Sequence, residues 1–501
     1  MSFKFSTSPM FKKIIFMLPV RPSKNVLMSV ISSKFHLFSK NYMNDSFKNC
    51  YDIIIAGGGM VGCAMACKLA NEPALKGFSI LLLEGGPFKE YKINTEENRV
   101  YSNRVSALSE SSVKLLKSVG AWQFIESVNG FHEVKEMKIW SSGKQKKDIN
   151  NVLHFKNEKN LAYIVENNFI LGALYRKINE EPNITVKYNS IANKCVLTKQ
   201  GECVTVKIAD DNQLYETSLL IGSDGFGSKV RKAISGQHYL SWDYGQRAVV
   251  ATVQIKNTQQ SNANVAWQKF VLQGPVALLP LNNETYSLVW TTSIEEAEHL
   301  VQSSDDEFIS ALNTILSEEE LNNYNSVIVD DLNKIMSKLM NKFLLTNDEC
   351  QNNNFSIPLI LGVAKNSRAS FPLGFGHACR YVGQRIAIIG DAAHRVHPLA
   401  GQGVNLGFND VSELSNQLNK SLLVGAEIGD ENALLQYESN AQAQNIPIMI
   451  GIDGIQKIYG SHNSLIPNSI LTFGRNLGLT FCQSASLLKK ILTRKASGLP
   501  T

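Results

Sequence analysis

Residues 51–73 read YDIIIAGGGMVGCAMACKLANEP, and residues 79–84 read SILLLE. A short apolar run from Tyr51 to Ala56 predicts a strand. Gly57, Gly59 and Gly62 follow in the spacing GxGxxG and open a helix of small residues that Pro73 ends. A second strand then closes on Glu84. This strand–turn–helix–strand order is the context that a dinucleotide-binding loop requires. Gly57 permits the tight turn. Gly59 lets backbone N–H groups approach a pyrophosphate at the positive end of the helix. Gly62 lets the helix lie close to the strand. Glu84 stands where a ribose diol can donate to it, and its charge repels a 2′-phosphate, which disfavours NADP there. The competing reading is a glycine-rich turn with a solvated glutamate. The strands and the acid around the loop favour the dinucleotide.

Two later segments repeat the theme of a strand ending on glycine and acid. LLIGSDGFGSKVRK (219–232) ends its apolar run at Asp224-Gly225, with Ser228 and Arg231 following. RIAIIGDAAHRVHPLAGQGVNLGFND (385–410) ends its run at Gly390-Asp391, and Pro398, Gly401 and Gly403 precede a new helix. Three such strand ends, far apart in the chain, predict one elongated ligand held by a discontinuous domain. His394 and His397 lack the cysteines or acids of a metal site nearby. His394 is expected to hydrogen-bond backbone at the turn, and Arg231 to cap a helix or pair with a carboxylate.

Charge is unevenly spread. The net charge of the 501-residue chain is +6, yet residues 1–50 hold eight Lys/Arg against the single acid Asp45. That segment therefore carries +7 and the remaining residues −1, so no nucleic-acid footprint is expected. A basic, Ser-rich, acid-poor leader predicts a mitochondrial targeting segment over 1–50, in preference to a secretory signal or an unaddressed tail. The eight cysteines show no CxxC or zinc spacing, which fits a reducing compartment. Cys63 and Cys67 are expected to be small packing residues. No run of eighteen apolar residues predicts a membrane span.

With GGGMVG, RVSALS (104–109), DGFGSKVR and GDAAHRVHPLAGQGVNLG in place, the chain resembles the single-component FAD-dependent aromatic hydroxylases. LAYIVEN (161–167), AWQKFVLQGPVALLPL (266–281) and SLVW (287–290) resemble the branch that hydroxylates ubiquinone precursors. The resemblance covers about residues 51–480. It implies FAD as cofactor and a fold like that of the 4-hydroxybenzoate hydroxylases. It further implies hydroxylation at ring carbon 5 of a polyprenyl-4-hydroxybenzoate, through a flavin C4a-hydroperoxide. Carried over, Gly57, Gly59, Gly62 and Glu84 hold the ADP half and Arg104 meets the pyrophosphate side. Asp224 and Gly225 shape the groove, and Asp391 takes the ribityl chain. Pro398 lies near the flavin face where oxygen reacts. The helix start at Gly401, Gly403, Val404 and Asn405 faces the pyrimidine edge. The catalytic base stays unnamed. The implied partners are a prenylated phenolic substrate and dioxygen, with ferredoxin and its reductase, or NAD(P)H, as electron source. Other ubiquinone-biosynthesis proteins and a peripheral contact with the matrix side of the mitochondrial inner membrane are implied too.

The expected fold class is α/β. A discontinuous Rossmann-like FAD domain (51–126, 166–245 and 376–450) joins a mostly antiparallel β-sheet substrate domain (127–165 and 246–375). A helical C-terminal segment (451–501) follows, in which Gly454–Thr501 contains no acid and six cations, so that it suits an anionic membrane, a partner protein or packing on the domain. NDECQNNN (347–354) reads as a flexible excursion, and Trp267 and Trp290 as core. Two alternatives remain: a flavin hydroxylase of another aromatic or alkene, and a non-redox binding protein on the same fold.

Overall fold

Ile53, Ile54 and Ile55 are all fully buried, so the first strand is covered on both faces, as in a parallel sheet flanked by helices. In this computed structural model it is β1 (Cys50–Ala56), followed by helix α1 (Met60–Asn71) and strand β2 (Ile80–Leu83). Strands β3 (Ile184–Lys187), β4 (Leu214–Gly222) and β5 (Ile386–Ile388) complete the centre, and helices α2 (Gln402–Leu423) and α3 (Glu431–Gly460) follow. The structure describes residues 49–91, 101–141, 153–156, 160–198, 202–209, 213–256, 263–271, 273–317, 357–398 and 401–460. The expected targeting segment up to residue 48, the excursion at 347–354 and residues 461–501 of the C-terminal segment lie outside them.

The first sheet runs in the order Val382–Gly383, β5, β4, β1, β2, β3. Ile53 pairs in parallel with Ile80, Ile80 with Ile184, and Leu220 with Ile386. Chain segments far apart in sequence thus lie side by side, and β1 and β4 end at the same edge, where the Ser223 N–H donates to the Ala56 carbonyl (2.8 Å).

The second sheet is mostly antiparallel. Its longest strand, Tyr239–Lys256, pairs with Thr285–Ser293 on one side and with Ala369–Ala378 on the other. Gly274–Pro280 and Val265–Val271 extend it. One face carries Trp267, Leu278, Leu288 and Trp290, which form a second core with Leu300, Phe308 and Leu312 from two helices. Alternation turns Gln268, Ala277, Val289 and Thr291 to the opposite face. The short strand His394–Arg395 pairs with Ala369–Ala378, so the segment leaving β5 joins the second sheet directly.

Three expected boundaries move. Tyr239–Lys256 runs unbroken through residue 245, although Gly245 (φ +65°) and a register shift between Asp243 and Arg247 interrupt its ladder. Ala369–Ala378 likewise crosses residue 375. The expected break after 450 falls inside α3, which continues past its internal Pro447 to Gly460. In addition, Val105–Leu108 joins Ala162–Glu166 and Phe131–Val134 in a small separate antiparallel sheet.

Gly62 sets the tightest packing. A Cβ there would lie 2.5 Å from Ser223 Oγ and would collide with the Gly57 carbonyl oxygen. The obstacle is backbone, which cannot rotate away. Gly62→Ala is therefore expected to destabilise the cofactor-free protein by about 1–3 kcal/mol, as overpacking does. Urea unfolding of the two apo proteins measures it; equal midpoints would refute the packing argument.

Candidate functional site

The site lies where the three strand ends meet. Gly57 has φ +108°, and a Cβ on it would lie 2.9 Å from the Asp224 nitrogen. Ser223 Oγ donates to the carbonyls of Ala56 (3.0 Å) and Gly57 (2.9 Å), locking the first loop to the second. The third end joins through Val61, inside the GxGxxG loop. A Cβ on Gly390 would lie 3.2 Å from the Val61 methyl groups, and one on Gly407 would lie 2.6 Å from the same side chain. The N–H of Ile389 donates to Gly222 (2.9 Å). Gly57, Asp224 and the Gly390-Asp391 turn therefore border one cleft.

Several groups facing it are left open. Among the described residues, no atom beyond the local backbone comes within 4 Å of a Cβ built on Gly59, Gly225 or Gly403, whereas Gly57, Gly62 and Gly407 are packed tight. Glu84 accepts the Gly86 N–H at Oε1 (2.7 Å), while Oε2 lies beside the loop, 2.5 Å from where a Gly58 Cβ would stand. Asp224 accepts the N–H groups of Lys229 (2.7 Å) and Val230 (3.3 Å) at Oδ2 and so caps a short helix; its buried Oδ1 has no partner among the described residues. Asp391 is exposed at the cleft surface. The protein around it desolvates the carboxyl and raises its pKa, against the opposing pull of His394 and Arg395. A glycine cradle, a ribose-side carboxylate and two further acceptors are what a dinucleotide with a polyol middle needs. The residues fit FAD.

Helix α2 begins at the same cleft. Gly401 is its left-handed N-cap (φ +62°), packed 3.1 Å from Ala107 Cβ as measured from an added Cβ. The N–H groups of its first turn, at Gly403 and Val404, precede the first intrahelical bond, which Asn405 makes to the N-cap carbonyl. The Asn405 side chain is occupied elsewhere. It donates to the Ala107 carbonyl (2.9 Å) and accepts from the Ser109 N–H (2.9 Å) and the Ser112 hydroxyl (2.7 Å). It holds the 105–112 segment in place against the start of α2. Arg104 stands exposed at the head of that segment, where its carbonyl accepts the Asn167 N–H (3.0 Å). Pro398 lies in a small cavity against the second sheet, with His397 beside it.

Two expectations for side chains are corrected. His394 does not bond backbone through its Nε2; it meets the Asp410 carboxylate at 2.6 Å, both groups being about 1% exposed. The same Asp410 oxygen accepts the Gly390 N–H (2.8 Å), and the other accepts from Asn445 (2.9 Å). Arg231 neither caps a helix by its side chain nor pairs with a carboxylate. It donates to the carbonyls of Ala392 (2.7 Å) and Phe226 (2.6 Å) and stacks 3.8 Å over Tyr239. Both residues thus brace the Asp391 turn. Cys63 and Cys67 are fully buried packing residues, and the Cys63 thiol donates to the Gly58 carbonyl (3.1 Å). Ser223 and Asp410 escaped the sequence reading. Ser223 sits between two stronger signals, and an aspartate within a helix reads as a solvated face until its helix is docked.

Comparison with known proteins agrees with this geometry. The FAD binding domain family matches residues 50–327 and 364–446. The mitochondrial ubiquinone biosynthesis monooxygenase COQ6 of Xenopus tropicalis is 37% identical, covering 89% of this chain and 93% of the relative. That of Drosophila melanogaster is 38% identical, covering 89% and 90%. The Homo sapiens protein is 35% identical, covering 91% and 95%. The chain belongs to the COQ6 family. It is an FAD-dependent monooxygenase. Among solved structures, PqsL of Pseudomonas aeruginosa superposes with a TM-score of 0.57 at 18% identity, covering 86% of this chain and 99% of that one. The p-nitrophenol 4-monooxygenase PnpA of Pseudomonas putida gives 0.58 at 12%, covering 90% and 98%. At such identities these two show a shared fold.

The buried His394–Asp410 pair makes stability depend on pH. Burial alone would lower the His394 pKa, but the Asp410 carboxylate outweighs it and the net direction is upward. A histidine raised above its unfolded value stabilises the fold fully below that value, near 6.5, and loses the contribution as pH rises through the folded value. Wild-type stability should therefore fall above pH 6.5 in this range, and Asp410→Asn should flatten the fall. Breaking the pair should also cost about 3–5 kcal/mol at pH 6. Denaturant titrations of both proteins between pH 5.5 and pH 8.5 provide the check; parallel pH profiles would exclude the pair as the source.

Proposed function

We propose that this monooxygenase hydroxylates carbon 5 of the aromatic ring of a polyprenyl-4-hydroxybenzoate on the route to ubiquinone. The observation that carries the reading is the meeting of Gly57, Asp224 and Asp391 at one cleft beneath an antiparallel sheet, in a chain whose relatives are named for ubiquinone biosynthesis. FAD, when bound, would carry two electrons from the external donor to dioxygen, one oxygen atom of which goes to the ring and the other to water. The chain's own part is binding, orientation and exclusion of water.

In this reading the N–H groups behind Gly57, Gly59 and Gly62 hold the pyrophosphate, with Arg104 on its outer side, and Glu84 accepts from the ribose. Asp391 accepts from the ribityl hydroxyls; Asp224 and Gly225 form the groove wall. The α2 start at Gly401, Gly403, Val404 and Asn405 places a positive helix end at the pyrimidine edge. Pro398 and the sheet face carrying Ala277 and Val289 keep the reacting region apolar and dry. Electrons come from ferredoxin and its reductase or from NAD(P)H. The substrate's prenyl tail places the enzyme peripherally on the matrix side of the mitochondrial inner membrane, among other ubiquinone-biosynthesis proteins. Among the described residues no helix is long and apolar enough to cross a membrane.

Asp391 separates ligand binding from folding. Its raised pKa means that the cofactor-free fold is less stable with the carboxylate ionised than it would be with a neutral group. Asp391→Asn should hold FAD about 10–100-fold more weakly, as for loss of one charge-assisted hydrogen bond or two. The apo protein should meanwhile melt no lower than wild type at pH 7. Flavin fluorescence titration and apo melting curves test both halves; a variant that keeps tight FAD would remove Asp391 from the site. For the reaction itself, cells lacking this chain should accumulate a prenylated phenol short of one hydroxyl. An unchanged quinone-intermediate profile would exclude the proposed substrate.

A further inference from the structure

The sheet face above Pro398 encloses a small cavity whose polar groups none of the assignments so far uses. Its walls include Gln268, Ala277, Val289, Thr291, His397 and Pro398. His397 is wholly buried, yet neither ring nitrogen has a hydrogen-bond partner among the described residues. The same holds for the buried Thr291 hydroxyl. An imidazole presents a donor and an acceptor when neutral, and burying both unmet is costly. Burial also pushes the His397 pKa down to about 3, so the ring is neutral at any physiological pH. Its orientation is set by packing. It stands edge-on to Tyr244 at 5.5 Å, and the Tyr244 hydroxyl is tied to Asp453 at 2.8 Å.

The cavity therefore has two chemistries. Ala277, Val289 and Pro398 offer apolar wall, while His397, Thr291 and Gln268 bring polar groups to one end. It is too small for a ring and suits a single polar substituent of one. We propose that His397 is a catalytic residue that hydrogen-bonds the phenolic hydroxyl of the aromatic substrate, with Thr291 and Gln268 closing around the same hydroxyl. This rests on the substrate class proposed above and supplies a contact to the phenol that the sequence left unnamed. A neutral ring hydrogen-bonds the hydroxyl and fixes which ring carbon faces Pro398. No ionised group needs to be buried for that.

The test compares two ligands on the full-length flavin-loaded protein: 4-hydroxybenzoate carrying one dimethylallyl group at carbon 3, and the same compound without its hydroxyl. Each is titrated against the visible flavin absorption of the wild type, His397→Leu, His397→Gln and Thr291→Val. A site built around the hydroxyl should prefer the phenol about tenfold in the wild type. His397→Leu should reduce the preference to within about twofold at unchanged flavin content, and His397→Gln should restore part of it. A purely structural histidine would not alter the ratio between the two ligands. If His397→Leu cannot hold flavin, Thr291→Val carries the comparison, with the preference expected to fall about threefold. An undiminished preference in whichever of these two variants holds flavin would mean that the buried nitrogens meet only ordered water, which overturns the proposal. A wild type that binds neither ligand overturns the proposal together with the substrate class. A wild type that prefers the phenol, with variants that keep that preference, overturns the role of His397 alone and leaves the substrate class standing.

Discussion

Everything at this site depends on how closely three stretches of backbone approach one another. At Gly57, Gly62, Gly390 and Gly407 the neighbouring element occupies the space that a side chain would need. Interiors are packed to crystal-like density, so such approaches cannot be loosened a little; they hold or the elements separate. The contact of Gly62 with the Gly57 loop sets α1 against β1. The contact of Val61 with Gly390 and Gly407 sets α1 against the third strand end and α2. One helix thereby positions both ends of an extended ligand site. The same geometry explains why glycines that look alike in sequence behave oppositely. Those that touch protein are structural joints, and those with empty space in front, Gly59 and Gly403, face the cleft.

A second layer of fixation is polar. Asp410 accepts from the Gly390 N–H, His394 and Asn445, which belong to the turn, the short strand of the second sheet and α3. Arg231 draws the Asp224 loop and the Asp391 turn together through two carbonyls. Both oxygens of the Asp410 carboxylate and both terminal nitrogens of Arg231 are bonded, a condition under which buried polar groups rigidify rather than weaken a core. They stand behind the cleft, and none is aimed into it. Asp391 can then remain without a structural task because its backbone is held by others.

The legibility of the chain follows from the range of each signal. The strand–loop–helix unit at 51–84 was readable because its periodicity, glycines and acid all lie within one short segment. The Gly390-Asp391 turn and the helix after Gly401 were readable for the same reason. Side-chain partners were not. His394 meets Asp410 across a helix whose docking angle no local pattern encodes, and Gln268 meets Thr291 and His397 only after three strands and a turn have come together. At residue 245 a local signal and the ladder differ: Gly245 and the bulge around it resemble a turn, whereas the pairing on both sides carries the strand through. Pro447 is likewise carried through within α3, where packing against the sheet and α2 outweighs one lost backbone hydrogen bond.

The open polar groups fall into two sets. Asp224 Oδ1 and the exposed Asp391 carboxylate can only accept, and in the proposed reading they face a ligand rich in hydroxyl donors. His397 and Thr291 each donate and accept, and they lie at the far side of Pro398, under the sheet. Native proteins leave few buried polar atoms unmet, and those they leave call for a reason. Core histidines are commonly satisfied by a carboxylate, as His394 is by Asp410 three residues earlier in the same segment. That the chain satisfies one and leaves the other bare places the two on different sides of the division between scaffold and site. The His394–Asp410 pair is bonded and buried, while packing holds the open nitrogens of His397 and the Thr291 hydroxyl in place, which is the condition for recognising a ligand without rearrangement.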